Sequence, residues 1–120
     1  MEILVISAHP DDETLGCGGT LLAHRARNDA LHWIIATAAH EPRWKRETIE
    51  RRSREIDEVA RAYGMKSARR LGFPAAALDT VEEVQLIDAL RDAIAAVRPD
   101  IVYTVHPGDV HSDHRRVFFA

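Results

Sequence analysis

Four residues able to bind cations or move protons fall within five positions: His9, Asp11, Asp12 and Glu13, with only Pro10 between them. A second group, His111, Asp113 and His114, follows about a hundred residues later. Three carboxylates beside one imidazole repel each other unless something positive sits among them. A zinc site that does chemistry commonly takes three protein ligands, often two histidines and a carboxylate, and keeps one position open. The two groups together offer such a set. They also fit the 2-His-1-carboxylate triad of non-haem iron enzymes, as His9, Asp11 and His114. By analogy, that alternative is expected on an all-β scaffold.

Two segments so far apart in sequence form one site only if the fold joins them. Ile3-Leu4-Val5-Ile6 is a continuous apolar run, the mark of a strand buried on both faces. Residues 33–37 read as a second strand, 68–71 as a short third, and Ile101 to Val105 as a fourth buried strand. Helical periods lie between them: from the glycine turn to about Arg27, from about Trp44 to Tyr63 with Gly64 as its cap, and from about Val81 to Val97 before Pro99. A last helix is expected from Arg115. Buried strands alternating with helices imply an α/β fold, a Rossmann-like parallel sheet with helices on both faces. With strand order 3-2-1-4, strands one and four flank the switch point, and the site falls beyond their carboxyl ends. His9 follows the first strand and His106 to His114 follow the fourth, so the two groups meet.

The totals narrow the partners. The chain has 120 residues, 46% of them hydrophobic, and a net charge of −3. That length suits a single domain. The acidic balance argues against nucleic acid as partner. Arg51, Arg52 and Arg54 read first as a solvated helix face. One cysteine, Cys17, excludes an internal disulfide, which fits a reducing, cytoplasmic setting. No apolar run approaches the ~20 residues of a membrane span.

The segment from Ala8-His9-Pro10-Asp11-Asp12-Glu13 to Thr20-Leu21, together with His111-Ser112-Asp113-His114-Arg115, resembles the LmbE-like family. This family comprises the N-acetylglucosaminyl-phosphatidylinositol de-N-acetylases and bacterial relatives such as mycothiol- and bacillithiol-pathway deacetylases. The resemblance runs essentially the whole length. It implies a Rossmann-like fold and zinc-dependent removal of an N-acetyl group from an amino-sugar conjugate, with Fe2+ or another divalent metal as an alternative. Carried over by motif, His9, Asp12 and His114 would hold the metal. Asp11 would be the general base toward metal-bound water. His111 would stabilise the oxyanion or protonate the amine, in cationic form and oriented by Asp113. Arg52 aligns with a family arginine that pairs with Asp11 or substrate. The resemblance also implies a chain that normally runs further, so residues 1–120 are expected to be one domain lacking the usual C-terminal portion. A metal- or ligand-binding fragment inactive alone is the corresponding alternative.

The remaining residues get plainer readings. Trp44, in the rim segment Glu41-Pro42-Arg43-Trp44, either stacks on a sugar or packs. Asp109 is expected to contact substrate hydroxyls. His24 and His32 read as surface or core fillers, His40 as a rim residue, and His106 as a neighbour of the site rather than a ligand. Cys17 reads as a small buried filler. Gly16, Gly18 and Gly19 lack nucleotide-binding spacing and read as close helix-on-strand packing. Phe118 and Phe119 at the end of the chain suggest homo-oligomer contact there.

Overall fold

A computed structural model describes residues 1–120. Its elements are β1 (Glu2–Ser7), α1 (Asp12–Ala26), β2 (Ala30–Ala38), α2 (Arg46–Tyr63), β3 (Ser67–Pro74), a 3-10 turn (Leu78–Thr80), α3 (Glu83–Val97), β4 (Ile101–Thr104) and α4 (Ser112–Phe119). The four strands are parallel in the order β3-β2-β1-β4, as the sequence predicts. No helix is long and apolar enough to cross a membrane.

Side chains alternate across the sheet. Ile3, Val5, Leu31, Trp33 and Ile35 face α1 and α2, where they meet Leu21, Ile56 and Tyr63. Leu4, Ile6, Ala8, Ile34 and Ala36 face the other way, against Leu86, Leu90 and Ala93 of α3 and Val117 of α4. Burying a side chain of this size contributes about 1.5–3 kcal/mol, so the two layers clamp β1 and β2 from both sides. The carboxyl ends of β1 and β4 are thereby fixed side by side, with Ile6 opposite Thr104.

Both edges depart from expectation. β3 is longer than residues 68–71, and its first four residues are exposed. An edge strand carrying Ser67, Arg69 and Arg70 has no apolar pattern to announce it. β4 alternates rather than being buried throughout: Ile101 and Tyr103 pack into the α1–α2 layer, Tyr103 against His24 of α1, while Val102 is 43% exposed. Val102 and Thr104 border an apolar groove with Ile87, Ile94 and Phe118.

The helix ends obey local chemistry. Gly64 caps α2 at φ 69°, donating its N–H to Ala60 and Arg61 carbonyls. α4 starts three residues earlier than Arg115 because His111 caps it. The glycine segment lies inside α1, interrupted at Cys17 (φ −144°), rather than before it. Only Gly18 reflects close packing, since a Cβ there would meet the Tyr63 hydroxyl at 2.8 Å; Gly16 and Gly19 have open space beside them. Cys17 is half-buried against the α1–α2 layer. His24 and His32 are buried and bonded, His24 to Asp29 and Tyr103, His32 to Ser67 and Glu2.

Candidate metal centre and cleft

The loop after β1 turns sharply into α1. Asp11 occupies the N-cap at φ 98°, ψ −25°, a left-handed conformation that short polar side chains tolerate best. Asp12 Oδ2 accepts the N–H groups of both Ala8 and His9 at 2.9 Å, tying the loop into a compact knot. Glu13 points down into the core, where its carboxylate accepts from the Asp11 N–H at 3.0 Å, the Ser7 hydroxyl at 3.3 Å and the Thr14 hydroxyl at 3.1 Å.

The loop after β4 brings the second group. His114 Nε2 lies 3.3 Å from Asp12 Oδ2, and its Nδ1 lies 3.2 Å from Asp109 Oδ2. His9 Nε2 lies 2.8 Å from Asp113 Oδ2. The His9 and His111 rings meet edge to face at 4.5 Å, and His111 and His114 stack at 5.6 Å. The two sequence groups therefore form one cluster, about a hundred residues apart along the chain.

Each carboxyl has its own electrostatic setting. Burial, then the neighbouring Asp12 charge, pushes Asp11 up, while His9, His114 and Arg52 pull the other way. Burial also pushes Glu13 up. For Asp113, burial acts upward but hydrogen bonds from His9 and from the Leu78 and Ala76 N–H groups outweigh it, so its pKa is lowered. The His111 N–H, followed by the nearby imidazoles, lowers Asp109.

Beside the cluster opens a cleft of about 730 Å³ between α2, the sheet and the β1 loop. His9, Asp11 and His111 stand on one wall; Trp44, Arg52 and Ile49 stand on the other. The Arg43 and Arg52 guanidiniums lie 5.3 and 5.7 Å from the Trp44 ring centre.

The matching family model is described as PIG-L, GlcNAc-PI de-N-acetylase, and it covers residues 4–120. The chain belongs to the PIG-L family. Among PIG-L relatives, a Bacillus subtilis protein named probable N-acetyl-alpha-D-glucosaminyl L-malate deacetylase 2 is 29% identical over 93% of this chain and 55% of its own length. An Escherichia coli protein named uncharacterized deacetylase YaiS is 32% identical over 98% of this chain and 64% of its own. The N,N'-diacetylchitobiose deacetylase of Pyrococcus horikoshii superposes with a TM-score of 0.81 at 28% identity, over 98% of this chain and 46% of that one. The chain thus spans about half the length of most relatives it matches.

Within this PIG-L fold two donor sets converge to within 4.8 Å: His9, Asp12 and His114, and His9, His111 and Asp113. Their remaining bonds distinguish them. The Asp113 carboxylate already accepts from His9, Ala76 N–H (2.6 Å) and Leu78 N–H (3.1 Å). His111 Nδ1 accepts the Asp113 N–H at 3.1 Å. In the first set each histidine has one ring nitrogen facing a carboxylate, Asp113 for His9 and Asp109 for His114, and the other nitrogen unclaimed or turned to Asp12. A carboxylate behind a ligating histidine is the usual arrangement around a metal. Two imidazoles and one carboxylate suit zinc or Fe2+.

Several expectations change. Asp113 does not orient His111 through its side chain; its carboxylate serves His9 and the segment before α3, because α4 turns it inward. His111 Nδ1 is an acceptor, which puts a proton on Nε2 and makes that nitrogen a neutral donor rather than requiring a cation. Asp109 does not line the cleft: Oδ1 takes the His111 N–H at 2.9 Å and Oδ2 faces His114. Arg52 lines the cleft with Asp11 but makes no ion pair with it. His40 Nε2 donates to the Gly72 carbonyl at 2.9 Å, so its ring joins the segment after β2 to β3, and His106 closes its own turn by accepting the Gly108 N–H. The part taken by Ser7, Trp33 and the 76–78 segment was hidden in the sequence, since none carries a pattern recognisable without the fold.

Proposed function

We propose that this chain carries the metal-holding half-site of a hydrolase that removes the N-acetyl group from an amino-sugar conjugate. The observation that supports it best is the convergence of His9, Asp12 and His114 beside a cleft that also presents Asp11 and His111. The names of the relatives support the substrate class.

His9, Asp12 and His114 would hold a divalent ion, zinc by the chemistry of the donors. Such an ion, when bound, polarises an amide carbonyl and acidifies water. Asp11, on the cleft wall, takes the proton from the attacking water. Burial raises its proton affinity, which suits a group that must accept and then release a proton. His111 Nε2–H is the donor for charge developing on the carbonyl oxygen. The C–N bond then breaks, and the proton gathered by Asp11 leaves with the amine, giving acetate and a free amino sugar. Trp44 and Arg52 on the opposite wall offer a flat apolar face and a cation to the rest of the conjugate.

The test is acetate release from a panel of N-acetylglucosamine conjugates by the zinc-loaded chain. Release that disappears on chelation and returns with zinc is expected. Zinc bound in stoichiometric amount with no acetate from any conjugate overturns it. That outcome favours the second reading, a metal-binding unit inactive without further chain, whose support is that the relatives are about twice as long.

A further inference from the structure

Glu13 is 2% exposed and belongs to neither donor set, so the reaction above leaves it without a part. We propose that Glu13 is a positioning residue: its buried carboxylate grips the Asp11 amide and so keeps the Asp11 side chain aimed across the cleft. The proposal rests on the reading of Asp11 as the proton acceptor.

The hydrogen-bond directions leave little freedom. Trp33 Nε1 can only donate, and it does so to Ser7 Oγ at 2.9 Å. The Ser7 proton therefore goes to Glu13 Oε2. The Thr14 proton goes to Oε1, so the Thr14–Tyr63 contact of 2.9 Å has Tyr63 as donor. The third donor is the Asp11 N–H, on Oε2. Every group around the carboxylate donates inward, Ser7 of β1 and Thr14 of α1 directly, with Trp33 of β2 and Tyr63 of α2 donating to those two hydroxyls from behind. Asp11 at φ 98° sits where an L-residue is disfavoured, and only surrounding bonds can keep it there. A charge-assisted bond to its own amide, from an anchor that four elements hold rigid, is the most direct such restraint. Glutamine has the shape of glutamate but no charge and a single acceptor oxygen, so its bond to the Asp11 N–H loses the charge assistance, and the Thr14 hydroxyl must turn away to Tyr63.

The experiment compares wild type with Glu13→Gln. The Asp11 amide proton is followed by NMR chemical shift and hydrogen exchange, with zinc content and acetate-release kinetics alongside. In the wild type this amide is expected downfield and protected. In Glu13→Gln it moves upfield and exchanges at least ~10-fold faster, while kcat falls by about the same factor at unchanged KM and zinc content. An unchanged Asp11 amide overturns the proposal, as does loss of melting temperature with kcat preserved, which would make Glu13 a core residue only. Should Glu13→Gln not fold, Thr14→Ala at an exposed position removes one inward donor; a smaller change of the Asp11 amide in the same direction supports the grip, and none overturns it. If the wild-type chain releases no acetate, the amide measurements still decide the role of Glu13.

Discussion

His9 Nε2 sits 2.8 Å from Asp113 Oδ2, a contact that joins the loop after β1 to a fully buried carboxylate on α4. The same carboxylate takes the N–H groups of Ala76 and Leu78. One side chain thus fixes the His9 imidazole and the segment leading into α3 at once.

Asp113→Asn is expected to weaken both. The amide can keep one backbone bond but turns a donor toward His9 or the 76–78 segment. Zinc affinity should drop about 10–100-fold, and stability should fall by about 1–3 kcal/mol. Chelator competition and denaturant titration measure the two effects; unaltered zinc affinity would mean that the His9 contact is incidental.

Asp11→Asn should keep the fold and the metal and lose most turnover. Asparagine tolerates the left-handed backbone of Asp11, so local strain hardly changes. Elemental analysis beside kinetics checks this. Loss of zinc would make Asp11 a ligand instead.

His111→Asn separates two duties. Asparagine preserves a helix N-cap acceptor for α4, while the Nε2–H donor to the cleft is gone. Melting temperature should stay within a few degrees and kcat should fall about 10²–10³-fold, the cost typical of losing one oxyanion donor. A variant with normal kcat would remove His111 from the chemistry.

The two ends of this series were not equally visible in the sequence. Strand order and the meeting of His9 with His114 could be read from the continuous apolar runs of β1 and β4, although only β1 is buried on both faces and β4 keeps Val102 exposed. The partner of Asp113 could not, because it depends on how α4 rotates against the 76–78 segment, which contacts it only through tertiary structure. The bonds of Asp109 to the His111 N–H and toward His114 were equally illegible, because they depend on how the loop after β4 folds back. The exposed edge β3 left no apolar trace at all.

The glycines of α1 make a paired prediction. Gly19→Ala, in a helix with open space beside it, should stabilise by about 0.5–1 kcal/mol. Gly18→Ala should destabilise, since the new methyl displaces the Tyr63 hydroxyl from Thr14. Thermal melts of both variants settle the contrast; equal behaviour would remove Gly18 from the α1–α2 contact.

Acid below about pH 4 should loosen the far end of the sheet. Hydrogen bonds from the Met1 ammonium, then from His24, hold Asp29 at about 2. A carboxyl with a folded pKa below its unfolded value contributes stability above roughly pH 4, and that contribution fades as pH falls toward 2. Asp29→Asn should therefore flatten the stability profile in that window, read by chemical denaturation at stepped pH. A profile parallel to the wild type would show that Asp29 contributes nothing there.

The knot that Asp12 ties with Ala8 and His9 follows β1, and His114 lies on α4, about a hundred residues away. An ion gripping both would close a loop of about a hundred residues. Occupancy and folding then become a single equilibrium: at a free-ion level one hundred times the dissociation constant, the folded form gains about 2.7 kcal/mol. Metal supply would then bear on the folding of this unit, because without an ion the tether between β1 and α4 would be lost.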